Sequence, residues 1–377
     1  MRLTFPHMGN LWIILETLFR DFTTELVIPP PNSRRTLSLG VKYSPEWVCL
    51  PFKMTLGNMI EALDMGADTI VMPAGRGLCR FGYYAKLQEK ILKDMGYKFQ
   101  MVTTDLFGKK IWGVAQLLRF ISGGAPMGKI IGALKFALGA KMSAMDELER
   151  LLHKVRAREK RKGDGTRIFR EALMAIREAD TYEELERKKR EYKEKLLSVP
   201  MGDEEPLIIG VVGEFYVVLE PFVNMDVEAE LGKLGVEVRR SLFLSEWTKF
   251  SLLLNAIGMS EKEKLHKAAK PYLKRDVGGD GWETVGEKVL HKGEYDGLVH
   301  LLPFTCMPEI VALNIMPSIK NDMPVLSIIC DEQMGRAGMV TRLEAFVDLI
   351  KMKRGRRDGG IHRDRHRFCH DETCSYR

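Results

Sequence analysis

The chain has 377 residues, 45% hydrophobic and 29% charged, which fits a soluble globular protein long enough for two domains with separate cores. Its formal charge of +7 sits largely at the C-terminus: nine Lys/Arg against four Asp/Glu from Lys351 to Arg377 give +5, leaving about +2 elsewhere. A nearly neutral body argues against nucleic acid as a partner. No apolar run reaches the roughly 20 residues of a membrane helix, and the N-terminus lacks a secretory h-region, so a cytoplasmic protein is expected.

Short apolar runs alternate with amphipathic segments over the first hundred residues. Arg2 to Phe5 reads as a strand, followed by a helical pattern through Leu11, Ile14, Leu15 and Leu18 and an extended Leu26-Val27-Ile28. Thr55 to Met65 reads as a helix, Asp68 to Met72 as a buried strand, Tyr83 to Met95 as a helix and Phe99 to Val102 as a strand. From Lys109 to Ser198 the pattern is helical and dense in charge, with opposite signs four apart at Glu184–Lys188 and Glu186–Arg190. It reads as a helical connector or arm with a hinge at Gly163 to Gly165. Strands return at Pro206 to Gly213, Val236 to Val238, Gly297 to Leu302 and Pro324 to Ile329, with helices from Glu246 to Tyr272 and from Thr341 to Met352.

This alternation predicts an α/β protein of two Rossmann-like or flavodoxin-like domains with parallel sheets, joined by a charged helical segment. The expected boundaries are 1–108, 109–203 and 204–355, with a basic, disordered tail at 356–377. His362, His366, Cys369, His370 and Cys374 in that tail have metal-ligand side chains in close order, but no apolar residues surround them to build a core.

Six cysteines in a reducing compartment point to free or metal-bound thiols rather than disulfides. Cys49, Cys79 and Cys306 each lie in a turn beside proline or glycine and just before a helix, where the positive end of the dipole favours a thiolate. Gly75, Gly77 and Gly82 leave room around Cys79 for a bulky ligand. A fold that brings the three together would suit a metal cluster with one open coordination site. Three buried, inert cysteines, in a non-catalytic assembly or regulatory subunit that keeps the fold, is the plain alternative. Structural zinc is the other, although none of the three has the close partner that zinc sites generally use.

Five blocks carry a family resemblance: Phe5 to Asn10, Tyr43 to Pro51, Gly77 to Tyr84, Pro303 to Glu309 and Thr341 to Phe346. Together they resemble the 2-hydroxyacyl-CoA dehydratase superfamily, nearest its acyl-CoA dehydratase activase-related branch. The resemblance implies a [4Fe–4S] cluster held by Cys49, Cys79 and Cys306 between Rossmann-like domains. It implies low-potential electron transfer or radical dehydration of a 2-hydroxyacyl-CoA, a lyase reaction, served by a separate ATP-hydrolysing activator. A second dehydratase-like subunit or a second copy would share the work. The chain has no phosphate loop of the Gly-x-x-x-x-Gly-Lys-Ser/Thr kind, so such an ATPase would lie outside it.

Other candidates surround these motifs. His7 and Arg80 are placed to meet a ligand, with a loop hydrogen bond and a surface salt bridge as their ordinary roles. Cys330, Asp331 and Glu332 end a strand at the same crevice, where a core thiol and helix-capping carboxylates are the alternatives. Glu309 falls in the first turn after Cys306. Gly210 and Gly213 form only half of a dinucleotide fingerprint.

Overall fold

The computed structural model describes residues 1–22, 25–74, 78–103, 110–245 and 261–358. The tail cysteines and histidines, Gly75, Gly77 and the first part of the helical stretch expected from Glu246 lie outside these residues.

Two four-stranded parallel sheets form the frame. The first comprises β1 (Arg2–Thr4), β2 (Glu25–Leu26), β3 (Thr69–Met72) and β4 (Gln100–Thr103), in the order β2-β1-β3-β4. The second comprises β5 (Leu207–Gly213), β6 (Val236–Arg239), β7 (Gly297–Pro303) and β8 (Val325–Cys330), in the equivalent order β6-β5-β7-β8. All seven residues of β7 are buried, as expected for a central parallel strand covered on both faces. In each sheet the strand order reverses beside the first strand, which opens a crevice at the carboxyl ends. The α/β reading of the sequence, with two parallel-sheet domains, matches this frame.

Helices of the first half are α1 (Leu11–Arg20), α2 (Arg34–Tyr43), α3 (Leu50–Asp64) and α4 (Tyr84–Asp94). Helix α3 is buried at every position from Leu50 to Leu63, so it is apolar around most of its circumference. Its first turn, Leu50 and Met54, packs with the strands of the second sheet, while Phe52, Leu56 and Ile60 pack with the first. The polar groups it buries are paired: Lys53 Nζ to Glu332 at 2.8 Å, and Thr36 Oγ1 to Glu61 at 2.7 Å. Helix α2 was not apparent in the sequence pattern; it begins at a capping box in which Ser33 and Thr36 bond each other's backbone N–H.

The charged stretch forms α5 (Lys110–Ile121), α6 (Met127–Leu134), a π-helical run Lys135–Lys141, α7 (Met142–Arg158), α8 (Asp164–Glu178) and α9 (Tyr182–Leu197). It is not an exposed arm. Leu118, Leu148, Leu152, Phe169 and Ile176 share one core with Leu3, Phe5 and Ile14 of the first sheet and its helix. The charges that dominate the sequence lie on the outer faces of amphipathic helices. At the expected hinge the N–H groups of Gly163 and Gly165 both donate to the Glu159 carboxylate, each at 2.7 Å, and this fastens the turn.

Helix α7 also reaches the second sheet, against β6 and α11 (Val227–Lys233), which follows the short α10 (Phe215–Leu219). Arg240, 2% exposed in its side chain, bridges Glu149 of α7 at 2.8 Å and Glu228 of α11 at 2.6 Å; Glu228 also bonds His153 Nε2 at 3.0 Å. The cations beside Glu228, Arg240 first, hold its carboxyl well below the usual range. The remaining helices are α12 (Glu261–Ala269), α13 (Gly281–Leu290), α14 (Met307–Ile315) and α15 (Arg336–Asp358).

Candidate functional site

The carboxyl ends of the two sheets meet. Gly9, in the turn after β1, has φ +49° and sits where a Cβ would come within 2.3 Å of the Leu219 carbonyl, so only glycine fits. Its N–H donates to the buried Glu220 carboxylate at 2.8 Å. His7 lies beside it but faces inward: Nε2 bonds the Pro29 carbonyl at 2.7 Å, and its backbone N–H bonds Asn58. This is the loop hydrogen bond named as its ordinary role, and burial lowers the ring's pKa.

Cys49, Cys79 and Cys306 occupy one kind of local position. Each is the residue capping a helix start: α3 for Cys49, the 3₁₀ turn Arg80–Tyr83 leading into α4 for Cys79, and α14 for Cys306. Pro51 and Pro308 fall in the first turns of their helices, where a missing N–H does no harm. Gly278, φ +76°, brings the loop before α13 so close to Cys79 that a Cβ there would meet the Cys79 nitrogen at 2.9 Å. Gly279 and Gly281 of the same loop lie against Pro308, beside Cys306. The second domain thus packs around both thiol turns at once.

Arg80 ties the three loops together. Its guanidinium donates to the Trp47 carbonyl at 3.1 Å, two residues before Cys49, and to the carbonyl of Thr305, next to Cys306. Thr305 holds a left-handed backbone, φ +66°, and its hydroxyl donates to the same Trp47 carbonyl at 3.3 Å. The arginine therefore meets backbone oxygens, and no Arg80 salt bridge is found among the described residues. A cation in this position also favours ionised sulfur nearby, and it acts on both Cys49 and Cys79.

Electrostatics at the thiols run against the helix dipoles. Burial pushes the pKa of Cys49, Cys79 and Cys306 above the usual thiol value, and the Glu214 carboxylate raises all three further. The helix-start contribution, about 0.3–1 kcal/mol, loses to desolvation. Cys49 also feels Cys79, and Cys306 feels Cys49, so the three share one electrostatic neighbourhood. Tyr84 hydroxyl hydrogen-bonds Cys49 Sγ.

Carboxylates complete the surroundings. Glu214 ends β5 and caps α10, accepting from Val217 N–H at 3.0 Å; burial raises its pKa to about 7. Asp280, just before α13, accepts from Phe215 N–H at 3.1 Å and is pushed well up by burial and by Glu283, Glu309 and Glu214. Glu309 is fully buried behind Cys306, with Oε2 bonded to His300 Nε2 at 2.8 Å and Thr284 Oγ1 at 2.9 Å; its Oε1 has no hydrogen-bond partner among the described residues. The three thiols, Glu214 and Asp280, all with raised pKa, crowd one point, and a multivalent cation there would hold the sulfurs as thiolates.

The other sequence candidates border the site: Cys330 is the register partner of Pro303, and its carbonyl accepts from Phe304 N–H at 2.9 Å. Cys330 is wholly buried in the second core, and burial pushes its thiol up to about 12. Asp331 accepts from Gln333 N–H at 2.9 Å, and Glu332 pairs with Lys53. Both line a separate hollow of about 220 Å³ between the domains. Glu214, Asp280 and Tyr84 were not singled out from sequence; the one available signal was the strand-to-turn transition at Gly213-Glu214.

Residues 7–241 match the family described as the CoA enzyme activase uncharacterised domain, a span that takes in Cys49 and Cys79 and ends before Cys306. No curated protein matches the chain. The family match overturns the expectation of a dehydratase-type subunit that relies on a separate activator, since the family is described from the activase side of such a pair. It agrees with the activase-related branch among the resemblances in the sequence. With more than half its length matched, the chain belongs to the family of CoA enzyme activase domains.

Proposed function

We propose that this protein is an activase-side component for a CoA enzyme, a 2-hydroxyacyl-CoA dehydratase being the candidate partner, and that Cys49, Cys79 and Cys306 hold a [4Fe–4S] cluster. One observation carries the reading: three cysteines remote in sequence, each capping a helix start, are gathered by Arg80 and the Gly278–Gly281 loop at the meeting point of two sheets. The donor set suits iron and sulfide. Three soft sulfurs supply ligation, and the adjacent helix starts offer N–H groups to sulfide.

A bound cluster would supply one-electron chemistry. The chain's own residues hold and screen it: Cys49 and Cys306 are each 8% exposed, which keeps bulk water from two of the ligands. Arg80 fixes the spacing of the three loops and places positive charge beside the sulfurs. Tyr84 holds the Cys49 sulfur from the protein side.

The test is reconstitution with iron and sulfide without oxygen, followed by an assay of the dehydratase from the same host with ATP supplied. Dehydratase turnover that depends on the reconstituted chain, and is absent with Cys79→Ser, is the expected result. Full turnover without the chain, or with Cys79→Ser, contradicts the proposal.

A further inference from the structure

The loops that carry the thiols also carry large apolar side chains turned outward. Trp47, Leu78, Tyr83, Phe304 and Met307 are between 47% (Phe304) and 68% (Trp47) exposed. Trp47 and Phe304 come from different domains, yet their rings stand 6.2 Å apart, and Arg80 ties their loops together. Scattered exposed apolar residues need no explanation, but five within four residues of three converging cysteines form a rim. Aromatic and methionine side chains around a partly open site are the composition of an interface centre.

Charge beside the rim selects the occupant. Helix α12 and the turn after it face Cys79 across a hollow of about 270 Å³ lined by Leu78, Lys262, His266, Asp276, Trp282 and Glu283, in which Glu283 neutralises Lys262 and His266. On that helix and turn Lys264, Lys267, Lys270, Lys274 and Arg275 are exposed and have no carboxylate partner among the described residues. A second copy would bring the same cations against these. An acidic protein surface would not.

We infer that the apolar rim of the three-cysteine site, with the basic flank of α12, is the docking surface for an acidic face of the CoA enzyme. The identity of that partner rests on the activase reading above; the surface itself does not. Docking closes the thiol site from solvent while the cations orient the approach, so the contact has an apolar centre and a charged edge.

The experiment measures binding of the full chain to purified 2-hydroxyacyl-CoA dehydratase from the same host, at low and high salt, with iron content recorded for every variant. Trp47→Ala with Phe304→Ala is expected to weaken binding at least tenfold at both salt levels. Lys267→Glu with Lys270→Glu should weaken it mainly at low salt and flatten the salt dependence. Both variants should keep the iron content of the unaltered chain. Unchanged affinity in both variants, or no binding by the unaltered chain, overturns the docking proposal. Self-association abolished by the same rim substitutions would assign the surface to a second copy and overturn it too. If iron fails to load while the binding pattern holds, the cluster reading falls and the docking surface stands.

Discussion

The two sheets share one strand order but furnish the crevice differently. Cys79 follows β3, the third strand of its sheet in sequence, and Cys306 follows β7, the third strand of the other. Cys49 precedes α3, the helix that leads into β3; the residue preceding α13, which leads into β7, is Asp280. The turn after the first strand bears Gly9 in one domain and Glu214 in the other. The first domain thus contributes two thiols and the second one thiol and three carboxylates, Glu214, Asp280 and Glu309. One architecture presents sulfur on one side and oxygen on the other.

If the equivalence of Cys79 and Cys306 is functional, either Cys79→Ser or Cys306→Ser alone should lower bound iron to background, measured after anaerobic reconstitution. Cys330→Ser, in the core of the same sheet as Cys306, should leave iron unchanged. Loss at one position only would break the comparison between the domains.

Next in size is the buried link between the helical layer and the second sheet. Arg240→Ala leaves Glu149 and Glu228 without their shared cation and should cost roughly 3–5 kcal/mol, read by denaturant unfolding. Glu228 has a lowered folded-state pKa, so its contribution is present above its unfolded value and is lost as pH falls through the folded one. The unaltered protein should therefore show steeper acid unfolding than the Glu228→Gln variant.

Gly9→Ala tests the contact between domains where its geometry is tightest. A left-handed φ and a Cβ at 2.3 Å from a backbone oxygen should together cost about 1–3 kcal/mol in the same assay. Gly96→Ala has a left-handed φ, +92°, but open space around the added carbon, so the difference between the two variants isolates the clash.

An effect of similar size concerns Glu214. Its folded-state pKa of about 7 exceeds the ordinary carboxyl value, so the metal-free native state holds the extra proton between about pH 4.5 and 7, and stability falls as pH rises through that window. The loss is of order 1–3 kcal/mol. Glu214→Gln should flatten that slope. An unchanged slope in Glu214→Gln would remove Glu214 from the account of the site.

Much of the frame was legible because parallel strands buried on both faces leave apolar runs, as β5 and β7 do. The helix starts at Cys49 and Cys306 were legible through the proline that follows each. The packing of α5 to α9 was obscured because charged residues are dense in α7 to α9, and in α9 they far outnumber the buried Leu185 and Leu196. Helix α2 was overlooked because its signal is a local Ser33–Thr36 exchange rather than an apolar period. The role of Arg80 could not be read from sequence at all. Its partners are backbone carbonyls 33 and 225 residues away, and a carbonyl carries no residue signature.

Metal content of the unaltered chain, purified and reconstituted without oxygen, tests the central claim most directly. The account predicts about four irons and four sulfides per chain, with the charge-transfer absorption of an iron–sulfur cluster. A colourless protein with no iron, or one holding zinc alone, would contradict it.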